Sequence, residues 1–333
     1  MDLWRNALIA SKFTGIYDFS YAPYALGDAL TWQMNIAVLA HESKCSLVDF
    51  LLLIDPRRPY CRYQAFLNPN NQIAAIESLL PAFTCLPSLD SLKVIRDTAL
   101  GQRFLIKTFL DSRKTWPSFW GHIMRKLDIT SYRRINSFFK KNDFLPILSS
   151  PKGYENWAKD FYKKKLPGQF CVVVNMRQSF LSKNPMALHR DADLKEWIKF
   201  FEAIYSSDDR VKFIIVGGYS EWTNQFLRLP NVLIPRTMGL GLAHELALLA
   251  HADLFMGSSS GYATMATFCG VPYVISHIEE KFSQSIEVPV GQEHFLFARH
   301  DQRLYWEKED SASLERLYEQ MRTSIVSRGK DVF

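Results

Sequence analysis

The stretch "LFMGSSSGYATMATFCGVPYVI", residues 254–275, combines an apolar strand, a serine-rich turn, a helix of small residues and a second strand. The turn, which we call the serine turn, comprises Gly257, Ser258, Ser259, Ser260 and Gly261. Its Gly-x-Ser-x-Gly pattern fits the nucleophile elbow of serine hydrolases. Glycines and serines that open a helix also form anion sites, because free backbone N–H groups and the helix dipole favour negative charge there. A serine that only caps the helix is a third interpretation.

Strands alternate with helices on both sides of this stretch. The five predicted strands of the second half are "FCVVVN" (170–175), "VKFIIVGG" (211–218), "NVLI" (231–234), "DLFMG" (253–257) and "PYVIS" (272–276). Helical patterns separate them, among them one from about Ser220. Such alternation predicts a parallel sheet with crossover helices, a Rossmann-like domain.

The first half repeats this organisation more loosely. Predicted strands at 13–20 and 46–55 are followed by helices at "ALGDALTWQMNIAVLAHES" and "NQIAAIESLL". The boundary falls at "KKKLPGQ" (163–169), which gives an acceptor-side domain of residues 1–165 and a ligand-binding domain of residues 166–333, whose last helix could return to the first domain. We therefore predict an α/β protein with two Rossmann-like domains facing a cleft, and ligands at the carboxyl ends of the strands.

Charge is concentrated in one part of the chain. Residues 103–165 contain fifteen Lys and Arg against five Asp and Glu, whereas the whole chain has a net charge of +6. This basic segment is rich in aromatics and could contact an anionic membrane surface or an anionic acceptor, or could simply be a solvated face. No nucleic-acid recognition motif accompanies it. With no long apolar run, no convincing signal peptide and five scattered cysteines, we expect a cytoplasmic protein, and association with the inner face of a membrane through this segment stays open.

The order of residues argues against a serine hydrolase. An esterase elbow is followed first by an acid and then by a histidine. Asp301 comes after all of the later histidines, His277, His294 and His300, so only a glutamate before His294 could restore the order. Serine hydrolysis is therefore disfavoured, and the anion site and the helix cap stay open for the serine turn.

Several cations follow the first strand of the second half. Arg177 comes directly after "CVVVN", and Lys183, His189 and Arg190 follow within "RQSFLSKNPMALHRD". Arginine makes bidentate contacts to phosphate oxygens, so these residues could clamp a diphosphate on the side of the serine turn. Alternatively, Arg190 pairs locally with an aspartate of "DAD" (191–193).

Metal and dinucleotide sites have little support. Asp191 in "DAD" precedes an amphipathic helix, which indicates a helix cap rather than a metal ligand, so we expect no metal. Gly217 and Gly218 end a strand and are expected to line the cleft, but "GGYSEW" is not a G-x-G-x-x-G motif.

A carboxylate stands on the opposite side of the cleft. In "ALGDALTW", Gly27 and Asp28 open a helix of the first domain. Asp28 could accept a proton from a substrate hydroxyl. Helix capping is the alternative, since Asp is a favoured cap residue.

On these motifs the chain resembles glycosyltransferases of the GT-B type. "LGDALTWQMNIAVLAH" is similar to the Gly-Asp helix start of heptosyltransferase-like enzymes, which implies that Asp28 is the base. "VVVNMRQS" with "HRDADLKEWIKFFEAI" resembles bacterial surface-polysaccharide transferases and, more distantly, fucosyltransferases, which implies phosphate contacts for Arg177 and Arg190. "ADLFMGSSSGYATMATFCGVPYVI" resembles the donor-domain loop of this group and implies that Ser259, Ser260 and Gly261 line the diphosphate.

The resemblance implies a metal-independent glycosyltransferase of surface glycan synthesis. It would move a sugar, hexosyl or related, from a nucleotide-sugar, bound as substrate with no further cofactor, to a saccharide or lipid-linked acceptor. A sugar-nucleotide epimerase or hydrolase of the same fold and a non-catalytic sugar-binding protein are the alternatives.

Overall fold

The computed structural model describes residues 11–54, 67–68, 70–96, 106, 114–118, 120–121, 128–178 and 191–330. Within these residues the chain forms two parallel sheets flanked by helices, one sheet in each half of the sequence. The predicted α/β class with two Rossmann-like domains is confirmed.

The first sheet has the strand order β3-β2-β1-β4. Its strands are β1 (Lys12–Asp18), β2 (Leu47–Leu53), β3 (Leu89–Ile95) and β4 (Thr115–Trp116). Helix α1 (Leu26–Glu42) connects β1 to β2, and α2 (Gln72–Leu79) precedes β3. The sequence did not predict β3, because "LDSLKVI" mixes charged with apolar residues and most of the strand is only half-buried or exposed.

Helices α3 (Tyr132–Asn142) and α4 (Glu155–Lys165) lie between β4 and the second sheet in the sequence, and both belong to the basic segment. The connection after α3 is tied to both domains, because the Leu148 N–H donates to the Phe268 carbonyl (2.9 Å) and the Ser149 N–H to the Cys85 carbonyl (2.8 Å). The Tyr162 hydroxyl of α4 donates to the Leu248 carbonyl at 2.7 Å. The predicted domain boundary, between residues 165 and 166, lies directly after α4, and it stays a prediction.

The second sheet has the strand order β10-β9-β8-β5-β6-β7. Its strands are β5 (Phe170–Asn175), β6 (Val211–Ile215), β7 (Val232–Leu233), β8 (Leu254–Ser258), β9 (Tyr273–Ser276) and β10 (Gln302–Leu304). All five predicted strands are present. The sixth, β10, is only three residues long and gave no sequence signal.

The helices of this half are α5 (Leu194–Ser207), α6 (Leu242–Ala250), α7 (Gly261–Phe268), α8 (Ser283–Ile286) and α9 (Ser311–Lys330). The helix predicted from about Ser220 is wrong, since the chain there forms bends and one short 3-10 turn, Phe226–Arg228. The sequence allowed the last helix, α9, to return to the first domain. Its described buried side chains instead pack into the core formed by α5 and the second sheet, and they are Leu314, Leu317, Tyr318 and Met321.

The two domains meet closely at the first turns of α1 and α7. A Cβ added to Gly261 would lie 2.6 Å from the Leu26 Cβ and 2.9 Å from the Gly27 nitrogen. A Cβ on Gly27 would lie 3.0 Å from the Thr264 hydroxyl oxygen. Glycine is therefore required at residue 261 for this approach, and the approach brings both helix starts to one cleft. Over the described residues no helix combines the length and apolarity that a bilayer crossing needs.

Candidate active site

A cavity of about 520 Å³ lies where the two domains meet. The first domain contributes the first turn of α1 and the start of α3, and the second contributes the carboxyl ends of its strands and the start of α7. The volume is within the range typical of small-molecule sites. The polar side chains that line it are Asp28, Thr31, Thr130, Tyr132, Asn175, Arg177, Glu221, Ser259, Ser260, Tyr262, Thr264, Thr267 and Ser285.

Asp28 is the third residue of α1 and lines this cavity. The helix cap is Ala25, so the interpretation of Asp28 as a cap residue is wrong. Burial raises the pKa of Asp28 from 3.8 to about 6. Tyr132 contributes to these surroundings, and its phenol stays protonated because burial raises its pKa well above the ordinary value. A half-buried carboxylate with a pKa close to neutrality has the properties of a general base.

The serine turn divides into residues that line the cavity and residues that do not. Ser260 caps α7, since its hydroxyl oxygen accepts from the Ala263 N–H at 3.3 Å, so the cap interpretation holds for this serine. Ser259 and Ser260 both line the cavity. The N–H groups of Gly261 and Tyr262 are in the first turn of the helix, where no carbonyl of the helix can accept from them.

Ser258 was expected to line the site and does not. It is the last residue of β8, is fully buried, and its hydroxyl lies 3.5 Å from Glu309 Oε1. Successive residues of a strand point to opposite faces, so Ser258 at the end of β8 can be buried while its neighbour Ser259 lines the cavity.

Arg177 lines the cavity with an unsatisfied guanidinium nitrogen. Within the part of the chain that the structure describes, its buried Nη1 has no hydrogen-bond partner. Burial lowers the pKa of Arg177, and the nearby carboxylates of Asp191, Glu221 and Glu279 oppose that shift. A buried N–H without a partner is costly, so this donor is suited to an anionic ligand. The other predicted cations, Lys183, His189 and Arg190, lie outside the described residues.

Asn175 ends β5 beside Arg177 and was not predicted. Its amide nitrogen donates to the Val216 carbonyl at 2.9 Å, whereas its buried Oδ1 has no partner among the described residues. As far as the described residues show, the site therefore offers an unpaired acceptor next to an unpaired donor. No sequence pattern indicated this pair beyond the position of Asn175 at a strand end.

Glu221 is a second carboxylate of the cavity that the sequence missed. It accepts from the Gly218 N–H at 2.8 Å, and burial raises its pKa. Gly217 and Gly218 were expected to line the cleft, but the cavity lining does not include them. Gly217 has φ +133°, and a Cβ there would overlap the Glu221 carboxylate, so this glycine makes room for Glu221.

A buried network fixes the start of α7. The Tyr262 hydroxyl donates to Glu245 Oε2 at 2.6 Å, and Arg236 binds both oxygens of Glu245 at 2.8 and 2.7 Å. Glu245 also accepts from the Gly217 N–H at 3.2 Å. A carboxylate with this many donors holds α6, α7 and the end of β6 in one geometry.

The remaining predictions concern hydrolysis and metals. As far as the structure describes the chain, no histidine lines the cavity, so Ser259 has no imidazole base beside it.

From the sequence, Asp191 was expected to cap the helix after "DAD". The residue that caps this helix, α5, is instead Asp193, which accepts from the Lys195 N–H at 3.1 Å. In the described ranges no cluster of His, Cys, Asp and Glu side chains is arranged to hold a metal ion.

No protein-family model matches the chain, and no curated protein matches it in sequence. Solved structures do resemble it. ADP-heptose lps heptosyltransferase II of E. coli is 10% identical with a TM-score of 0.56, over 96% of this chain and 100% of that one. A glycosyl transferase of family 9 from Veillonella parvula is 11% identical with a TM-score of 0.54, over 94% and 89%.

The E. coli heptosyltransferase WaaC, solved with ADP-2-deoxy-2-fluoro heptose, is 8% identical with a TM-score of 0.50, over 93% of this chain and 99% of that one. At such identities the likeness establishes the fold, which is the GT-B arrangement of two Rossmann-like domains facing a cleft.

Proposed function

We propose that this chain is a glycosyltransferase that moves a sugar from a nucleotide-sugar donor to a saccharide or lipid-linked acceptor in surface glycan synthesis. One observation carries the proposal. Asp28, with a pKa of about 6, lines the same cavity as Arg177 and the start of α7, and this supports roles for Asp28 as a base and for the other two as anion-binding groups.

Asp28 supplies the base. Its carboxylate takes the proton of the acceptor hydroxyl while that oxygen forms a bond to the anomeric carbon of the donor. The bond from the anomeric carbon to the diphosphate oxygen breaks, and the electron pair leaves with the diphosphate. The proton on Asp28 then passes to water. A pKa of about 6 leaves Asp28 mostly ionised at neutral pH and still basic enough to assist.

The second domain holds the leaving diphosphate. Its donors are the N–H groups of Gly261 and Tyr262 in the first turn of α7, the hydroxyls of Ser259 and Ser260 and the Arg177 guanidinium. Aligned donors and a helix dipole stabilise the charge that develops on the leaving group. These groups neutralise the charge of the leaving diphosphate, as a divalent cation does in other enzymes. The reaction therefore needs no metal and no cofactor besides the substrates.

The similar structures support the donor class. One of them was solved with ADP-2-deoxy-2-fluoro heptose, a nucleotide-sugar. The basic segment of this chain, much of which lies outside the described residues, would bring the enzyme to an anionic acceptor or to the inner face of a membrane.

The test has two stages. Thermal shift against UDP, GDP, ADP, CMP and dTDP identifies the nucleotide, and the matching nucleotide-sugars are then incubated with and without acceptors. We expect one nucleoside diphosphate to stabilise the protein, donor consumption that depends on acceptor, and loss of turnover in Asp28→Asn. Equal consumption without acceptor would indicate an epimerase or hydrolase, and a lack of stabilisation by every nucleotide would indicate a non-catalytic protein.

A further inference from the structure

The order of the strands divides the cavity into two chemically different halves. Strands β5 and β6 lie on one side of β8, and β9 and β10 on the other. What we call the polar half is formed by Asn175, which ends β5, Arg177, which follows it, and Glu221, which follows β6. The lining residues on the other side form what we call the apolar half, and the apolar ones are Ile275, Ile278, Phe282, Ile286, Phe295 and Leu304. Ser285 also lies on this side, and its hydroxyl donates to the Phe282 carbonyl at 2.8 Å.

The apolar half is built into the protein core. Ile275, Ile278, Phe295 and Leu304 are each at most 6% exposed and belong to the core cluster that both domains share. Tyr132 from the first domain stacks on Phe295, with ring centroids 5.5 Å apart and planes 14° apart. Because these side chains are held by packing on their other faces, the surface that they present to the cavity is fixed before any ligand binds.

This surface offers a bare sugar few hydrogen-bond partners. Sugar hydroxyl groups that lose water against aliphatic side chains must find other partners, and burying them without partners is unfavourable. An apolar group on the same surface is favoured instead. The nucleotide diphosphate belongs in the polar half, where Asn175 Oδ1 and Arg177 Nη1 have no hydrogen-bond partner within the described ranges.

We propose that the apolar half is the acceptor subsite, and that the acceptor carries an apolar group next to the hydroxyl that is glycosylated. This inference rests on the proposed function. Asp28 and Tyr132 reach the cavity from the first domain, and Tyr132 stacks directly on the apolar half, so a hydroxyl held at Asp28 brings its neighbouring atoms against that surface. A glycolipid and a small aryl or alkyl glycoside share this chemistry.

The experiment measures dissociation constants by calorimetry for methyl, octyl and phenyl glycosides in the gluco, galacto and N-acetylgluco series. Octyl glycosides are used below their micelle concentration, and the protein is saturated with the nucleoside diphosphate found by thermal shift. In at least one series we expect an octyl or phenyl glycoside to bind at least tenfold more tightly than the methyl glycoside, the gain from burying about two methylene groups. A stronger octyl effect indicates a lipid acceptor, and a stronger phenyl effect a flat aglycone.

Substitutions in the apolar half test whether this part of the cavity causes the preference for apolar glycosides. Ile278→Ser, at a side chain 4% exposed, and the milder Ile286→Ser, in the half-buried helix α8, should each reduce the preference at least threefold. Ile147→Ser, at an isoleucine 59% exposed, is the matched control and should leave it unchanged. Nucleoside diphosphate binding should be the same in all three.

The proposal is overturned if no series prefers the apolar glycoside, or if Ile286→Ser keeps the full preference. Failure of the proposed function is seen separately, because it would appear as absence of nucleotide binding in the wild-type protein regardless of the glycoside.

Discussion

Replacing Asp28 with asparagine should make the protein more stable and less active at the same time. The folded protein holds the pKa of Asp28 at about 6, against an ordinary value of 3.8. In the unfolded chain the carboxyl loses its proton near pH 3.8, whereas in the folded chain it keeps the proton up to about pH 6. The folded state therefore binds more protons in this window, and stability falls as pH rises through it.

The size of the effect follows from the pKa difference. About two pKa units at 1.36 kcal/mol each give a loss of about 3 kcal/mol that is complete above pH 6 and amounts to about 1.5 kcal/mol at pH 5. Asparagine has nearly the same shape and no charge, so Asp28→Asn should raise the free energy of unfolding by about 3 kcal/mol at pH 8 and by about half of that at pH 5.

Urea denaturation at both pH values measures this difference. Asp143→Asn, at an exposed aspartate of the same domain, is the control and should stay within about 0.5 kcal/mol of the wild type at each pH. The reasoning would be refuted if Asp28→Asn raised the free energy of unfolding equally at pH 5 and pH 8, or lowered it at pH 8. Either result would mean that burial does not destabilise the charged carboxylate.

Activity gives the second readout of the same variant. Loss of a general base should lower kcat by about 10²–10⁴-fold. The wild-type rate should rise with pH up to about pH 6 and then level off, since only the ionised Asp28 accepts a proton. An unchanged pH profile in Asp28→Asn would assign the base to another group.

The remaining predictions concern the second domain and metal dependence. Arg177→Ala should weaken nucleoside diphosphate binding by about 1.5–3 kcal/mol in calorimetry, and Arg133→Ala, at a side chain 85% exposed, should not; equal affinities would remove Arg177 from the site. Ser259→Ala should lose one hydrogen bond, about 0.5–3 kcal/mol, and keep measurable turnover, and covalent labelling of Ser259 by a fluorophosphonate would contradict this. Gly261→Ala should destabilise the protein by about 1–3 kcal/mol through overlap with the first turn of α1, whereas Gly218→Ala, with no atom nearer than 3.9 Å, should not. EDTA should leave turnover intact, and a loss that magnesium or manganese restores would show that a metal is required.

Several site residues could be found from sequence because their chemistry is local. Asp28 was identified from a glycine and an acid at a helix start, and Arg177 from its position after a buried strand. Both line the cavity, and their roles stay predictions. Glu221 was missed because the chain after β6 was expected to be a helix, whereas it is a bend that turns one carboxylate back toward the strand end.

The sequence by itself determined the fold class, the first two strands of the first domain and five of the six strands of the second domain. Apolar runs of strand length that alternate with amphipathic helices permit only a small set of arrangements, so the two-domain α/β class followed from local pattern and the handedness of crossovers. The serine turn was recognisable as a helix start for the same reason, since capping depends on residues that are neighbours in the chain.

Only the tertiary structure decided which residues line the cavity and which of them have altered chemical properties. Ser258 and Ser259 are adjacent in sequence, yet the strand geometry buries one against Glu309 and turns the other to the cleft. The raised pKa of Asp28 comes from burial among side chains that include Tyr132, more than a hundred residues away, and the contact of the two helix starts is set by two distant glycines, Gly27 and Gly261. Such properties arise from groups brought together across the chain, because desolvation and close packing depend on all neighbours in space and not on those in sequence.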